Sequence, residues 1–243
     1  MARQIGPRID NLMSDWDKAV MVDSSSETLR AGGQVRRVAR VLILSAISGF
    51  VLYTAAKALW SAFASDDFPE SLAVKVELLP LTFPIHMITG GLALVLLPLA
   101  ITLRHRPYWH RLAGRIAAFD VLVSGLTAFP VAWAAPVTTW SAAGFSAQAA
   151  TWLTLLVLGI RNIRRRRVAA HRTCMVLMVA TASGAVFFRI YLALWAMLGD
   201  RRWFDAFYAC DAWVAWPAPL ILSAVIMSRS RPSGHARIIN AAA

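Results

Sequence analysis

Hydrophobic residues gather into six stretches separated by polar connections, near Val41–Ser61, Leu81–Leu103, Ile116–Ala135, Ala147–Ile160, Cys174–Leu198 and Ala209–Met227. A run of about 20 predominantly apolar residues crosses the hydrocarbon of a bilayer as a helix, because only a helix satisfies its own backbone there. The fourth stretch is short and its start is the least marked. The pattern predicts an all-α integral membrane protein with six transmembrane helices, the central four forming a bundle.

Residues 1–38 form a polar segment rich in Ser and Asp, residues 39–228 the membrane domain, and residues 229–243 a basic tail. The first segment has no apolar h-region, so no cleavable signal peptide is expected and the first span should remain as an anchor. Around Ile9–Val22 a weak periodicity suggests an amphipathic helix on the membrane surface, followed by linker-like Ser24–Ser26 and Gly32–Gly33.

Composition agrees with the pattern. Apolar residues make up 58% of the chain and the mean hydropathy is +0.56, too high for a soluble domain of this size. Trp60, Trp109, Trp133, Trp140 and Trp203 fall near span ends, where amphipathic rings prefer the headgroup zone.

A net charge of +12 could indicate nucleic acid, but its distribution argues otherwise. Of the 25 Lys and Arg, 20 fall on one side: in the N-terminal segment, at Arg104, Arg106, Arg111 and Arg115, at Arg161, Arg164–Arg167 and Arg172, and in the tail. Lys57, Lys75, Arg201 and Arg202 lie on the other side, and Arg189 falls within a span. This positive-inside arrangement puts both termini in the cytoplasm of a bacterial inner membrane, with the basic loops against anionic headgroups. Nucleic acid is not expected as a partner.

Cys174 and Cys210 fall at opposite membrane faces, so a disulfide between them is geometrically excluded, and neither has metal-ligand spacing. Chemistry is confined to the ionisable groups that the spans carry, since each is costly in lipid. These are His86, Asp120, Arg189 and Asp211, with His110 and His171 at helix starts.

Tyr108-Trp109-His110-Arg111-Leu112-Ala113-Gly114-Arg115 leads into the third span, and Ala170-His171-Arg172-Thr173-Cys174-Met175 into the fifth. Each sets a His-Arg pair at the cytoplasmic start of a helix. If those helices meet, His110 and His171 sit at one depth and could ligate the iron of a b-type haem, with Arg111, Arg115 and Arg172 beside its propionates. The structural alternative is that the same residues bind lipid phosphate or hydrogen-bond loop carbonyls.

His86 is followed one turn later by Gly90 and Gly91, which permit close approach of a helix or a flat ligand. Arg189, deep in the fifth span, and Asp211, entering the sixth, stand at compatible depths for a bidentate pair. With His86 and Tyr191 they would form an outer polar cluster. Asp120 is near enough to the cytoplasm to pair with Arg115 or Arg172.

The run from His86 with Gly90, through His110-Arg111-Leu112-Ala113-Gly114-Arg115 and His171-Arg172 with Met175, to Arg189 resembles the bacterial predicted-membrane-protein family known as domain of unknown function 2306. The family often has an aromatic and a further basic residue after the second His-Arg, where this chain has Thr173-Cys174. The resemblance implies a multi-pass membrane protein and lends no activity.

Two classes of function stay open. One is a redox protein holding haem b between His110 and His171, with a quinone or another redox partner. The other is non-enzymatic: an accessory subunit of a larger membrane complex, or a small transporter using the outer cluster. The sequence shows no inverted repeat and no evident broken helix pair of the transporter kind, and no HExxH, GxSxG or Walker loop.

Overall fold

The structure, a computed structural model, describes residues 48–57, 59–60 and 70–229. The chain divides into two units, Met1–Gly49 and Phe50–Ala243, and the architecture is that of the second. The polar segment 1–38 and the tail beyond residue 229 lie outside the described residues.

Residues 50–57 and 59–60 are helical (α1). There follow α2 (Glu70–Leu78), α3 (Thr82–Thr102), α4 (Pro107–Trp133), α5 (Thr139–Arg164), α6 (Val168–Ala182), α7 (Gly184–Leu198), α8 (Phe204–Val214) and α9 (Pro217–Arg229). Among the described residues, five spans are long and apolar enough to cross a membrane: Thr82–His105, Pro107–Trp133, Thr139–Arg164, Val168–Leu198 and Arg201–Arg229. The first expected span, Val41–Ser61, is described only in part.

Two expectations change. The fourth span is not short: α5 begins at Thr139, behind a capping box in which Thr138 Oγ1 accepts from Ser141 N at 3.0 Å and Ser141 Oγ accepts from Thr138 N at 3.2 Å. Its polar first turn dilutes the hydropathy that marks a span. Nor are all spans continuous. The fourth described span is divided at Ser183 into α6 and α7 and the fifth at Ala215–Trp216 into α8 and α9, each a local kink at which the backbone stays in the right-handed helical region (Ser183 φ −61°, ψ −17°; Ala215 φ −58°, ψ −36°). Pro217 explains the second break, since it has no N–H to give the preceding turn. Both breaks fall at the middle of their spans.

Helices α3, α4, α5 and α6 pack as an up-and-down bundle in which α4 and α6 stand diagonally, and α8 and α9 pack on α5 and α6. The end carrying the Arg104–Arg115 and Arg161–Arg172 connections is closed by a packed core of Ala93, Leu97, Ala117, Val121, Leu156 and Met178. Small residues face inward, while Leu122, Leu126, Val157, Ile221 and Leu222 face outward, the inverse of a soluble bundle. Lipid tails are as apolar as leucine, so association depends on close packing rather than on burying large side chains. Ala55 of α1 joins Leu94 and Val186 in a second small cluster.

α5 and α8 approach closely where a Cβ on Gly144 would meet the Ala212 carbonyl oxygen at 2.8 Å. Gly144→Ala should therefore force two backbones apart and cost about 1–3 kcal/mol, read as a lowered thermal midpoint in detergent. Gly114→Ala, whose added Cβ meets nothing within 4 Å, should not lower it.

Candidate functional site

Above the packed core, towards the α4–α5 connection, the bundle opens into a cavity of about 270 Å³. All five of the spans found among the described residues contribute: His86 and Gly90 from α3, Ser124 and Ala128 from α4, Gln148 and Trp152 from α5, Gly184 and Arg189 from the α6–α7 span, and Tyr208 and Trp216 from the α8–α9 span. The cavity exists because small residues line much of it while rings prop the helices apart. Phe145, Phe188 and Tyr208 form a mutual edge-to-face cluster with centroids 5.1, 5.2 and 6.0 Å apart.

The two helix breaks meet here. A Cβ on Gly184 would lie 2.5 Å from Trp216 Cβ, 2.8 Å from its Cα and 2.9 Å from Gln148 Nε2, so only glycine fits this crossing. Beside the first break, Gln148 Nε2 donates to Thr181 O at 3.0 Å and Trp152 Nε1 to Met178 O at 3.2 Å. Ser183 Oγ donates back to Ala180 O at 2.7 Å.

His86 Nδ1 lies 3.1 Å from Ser124 O and 3.3 Å from Thr127 Oγ1. A carbonyl only accepts, so Nδ1 carries the proton. Arg189 Nη1 donates to Ala185 O at 2.8 Å, within its own helix. Lys75 of α2 crosses to the end of α4, where its Nζ donates to Val131 O at 3.0 Å and also to Ala134 O. That position complements the negative end of the helix dipole. Burial lowers its pKa below the ordinary 10.5.

Of the outer cluster expected from the sequence, His86 and Arg189 share the cavity wall, whereas Tyr191 and Asp211 do not line it. Tyr191 packs on Phe187, centroids 6.2 Å apart. The Arg189–Asp211 pair is not formed: Arg189 bonds to backbone, and both Asp211 carboxylate oxygens are buried without a hydrogen-bond partner. Depth along the helix does not bring the two side chains together. Asp120 is likewise buried, its Oδ2 unpartnered, and the expected contacts with Arg115 and Arg172 are not made.

His110 and His171 do equivalent work at the arginine-bearing end. His110 Nδ1 donates to Ala100 O at 2.7 Å, tying α4 to α3, and His171 Nδ1 donates to Gly159 O at 2.9 Å, tying α6 to α5. Each bond places a proton on Nδ1 and fixes the orientation of its ring. A porphyrin needs a slot. Neither ring lines the central cavity or the groove at Arg111 and Arg115, and below them the bundle axis is filled by Ala117, Val121, Leu156 and Met178. Arg111 and Arg115 border a shallow groove with Tyr108 and Leu112, and Arg172 is not part of it.

Three contributors to the site have no counterpart in the sequence reading. Gln148 is polar but uncharged, Lys75 precedes its span, and Trp216 matches the many interfacial tryptophans. The one signal that could have found the breaks is Ser183-Gly184 together with Trp216-Pro217, mid-span in consecutive apolar stretches.

These features define a multi-pass helical membrane protein with two interrupted spans around a polar-lined cavity. Residues 83–227, more than half of the chain, match the family model described as predicted membrane protein (DUF2306), and the chain belongs to that family. The match extends past Arg189 through both breaks. No curated protein and no solved structure matches the chain.

His110→Phe and His171→Phe each remove one cross-helix donor. Each should lower stability by only about 1 kcal/mol, measured as a small fall in the detergent thermal midpoint.

Proposed function

We propose that the protein is a non-enzymatic membrane protein that binds a small solute in this cavity and passes it across the bilayer. The observation that carries the reading is the meeting of two mid-span helix breaks on the wall of a cavity that also holds Arg189 and His86. Interrupted helices crossing near the midplane are how small transporters place polar groups and hinges at one depth. On this reading the arginine-bearing end is cytoplasmic by the positive-inside rule. The cavity then faces the outer side of an inner membrane, with the Ala93–Val121–Met178 core as the closed inner gate.

The test needs no identified solute. In a background of Cys174→Ser and Cys210→Ser, single cysteines replace Ala185 and Ala212 on the wall and Val157 on the lipid face. A membrane-impermeant thiol reagent applied from outside intact cells should label the cavity cysteines and spare position 157. Unlabelled cavity cysteines would overturn a water-accessible solute site.

The redox alternative has one favourable observation, the Nδ1 hydrogen bonds that orient both imidazole rings. Protein purified from a haem-sufficient host should nonetheless show no Soret band. A low-spin b-haem spectrum lost in both His110→Ala and His171→Ala would replace the transport reading.

A further inference from the structure

Resting on that reading, we infer that the cavity takes a small organic carboxylate with an apolar body, its carboxylate held by Arg189. The charge of the wall comes first. Arg189 and Lys75 line the cavity and no Asp or Glu does. Asp211 of α8 makes no ion pair with Arg189, and Lys75 is spent on the end of α4. Among the described residues the guanidinium therefore faces the cavity with one intrahelical hydrogen bond and no counter-charge. A cation without a partner is costly at this depth, and an incoming anion removes that cost.

Donor character comes second. Ser124 Oγ and Trp216 Nε1 at the wall are buried, with residues 1% and 9% exposed, and neither has a partner. Arg189 and Trp216 donate only, which suits an ionised carboxylate, a group that only accepts. The remainder of the wall sets the body of the ligand. Phe83, Phe145, Trp152 and Phe188 with Met87 and Leu94 are apolar, and a cavity of 270 Å³ holds an aryl acid rather than a long acyl chain. A polyanion or a sugar would leave these rings against polar groups.

The probe is benzoate, with benzamide as neutral isostere and benzylamine as cation, titrated against purified protein while the fluorescence of the Trp152 and Trp216 wall is followed. Benzoate should give a saturable change, and benzamide and benzylamine should bind at least about tenfold more weakly, the scale of one charge-assisted contact. Arg189→Gln should abolish the preference for benzoate and Arg189→Lys should retain part of it. If Arg189→Gln fails to fold, the three probes on the native protein and Arg189→Lys decide. Equal binding of benzoate and benzamide, or none of either, overturns the carboxylate assignment, and labelled cavity cysteines then leave the solute-site reading standing. Unlabelled cysteines remove that reading whatever benzoate does.

Discussion

Seven polar side chains of this bundle donate to a backbone carbonyl of a neighbouring helix. His86 donates to α4, His110 to α3, His171 to α5, and Gln148 and Trp152 to α6. Trp213 Nε1 reaches Trp140 O at 3.0 Å, and Lys75 closes the end of α4. The constraint behind this is solvent. A donor in hydrocarbon has no water, and the nearest acceptor is the second lone pair of a helical carbonyl whose first is already used. Each such bond is worth little, but it admits only one rotation of each helix about its axis. The bundle's register is specified this way rather than by ion pairs.

Close packing of small residues completes that register and creates the site. Where Gly144 meets Ala212 and Gly184 meets Trp216, backbones nearly touch. Towards the arginine-bearing end, alanines and a few larger residues fill the axis. Towards the other end, the edge-to-face rings of Phe145, Phe188 and Tyr208 hold three spans apart, and the small residues opposite cannot fill the gap. The cavity is therefore a consequence of where bulk is placed along the helices. Arg189 at its wall has a place that neither lipid nor the packed core could offer a guanidinium.

The breaks matter because they coincide. Pro217 interrupts one span by removing a donor, and the neighbouring span is interrupted at Ser183, with Gly184 lacking the Cβ that would collide with Trp216. Gln148 bridges the crossing by donating to Thr181 O, so a movement of either half-helix is felt at the cavity wall.

What was legible beforehand followed from properties local to the chain. Hydropathy alone marks the spans and the arginine distribution marks two ends, because both are set by transfer of single residues between water and lipid. The cost of ionisable groups in lipid was enough to single out His86 and Arg189. The same logic overreached for Arg189 and Asp211: depth along a helix can be read from spacing, but the face each residue presents depends on helix rotation. It also missed Gln148 and Trp216, whose roles exist only where another helix supplies a carbonyl or a glycine. Tertiary structure decided rotation, crossing and cavity, because these depend on which small residues of separate helices come into contact, and no single stretch of sequence carries that information.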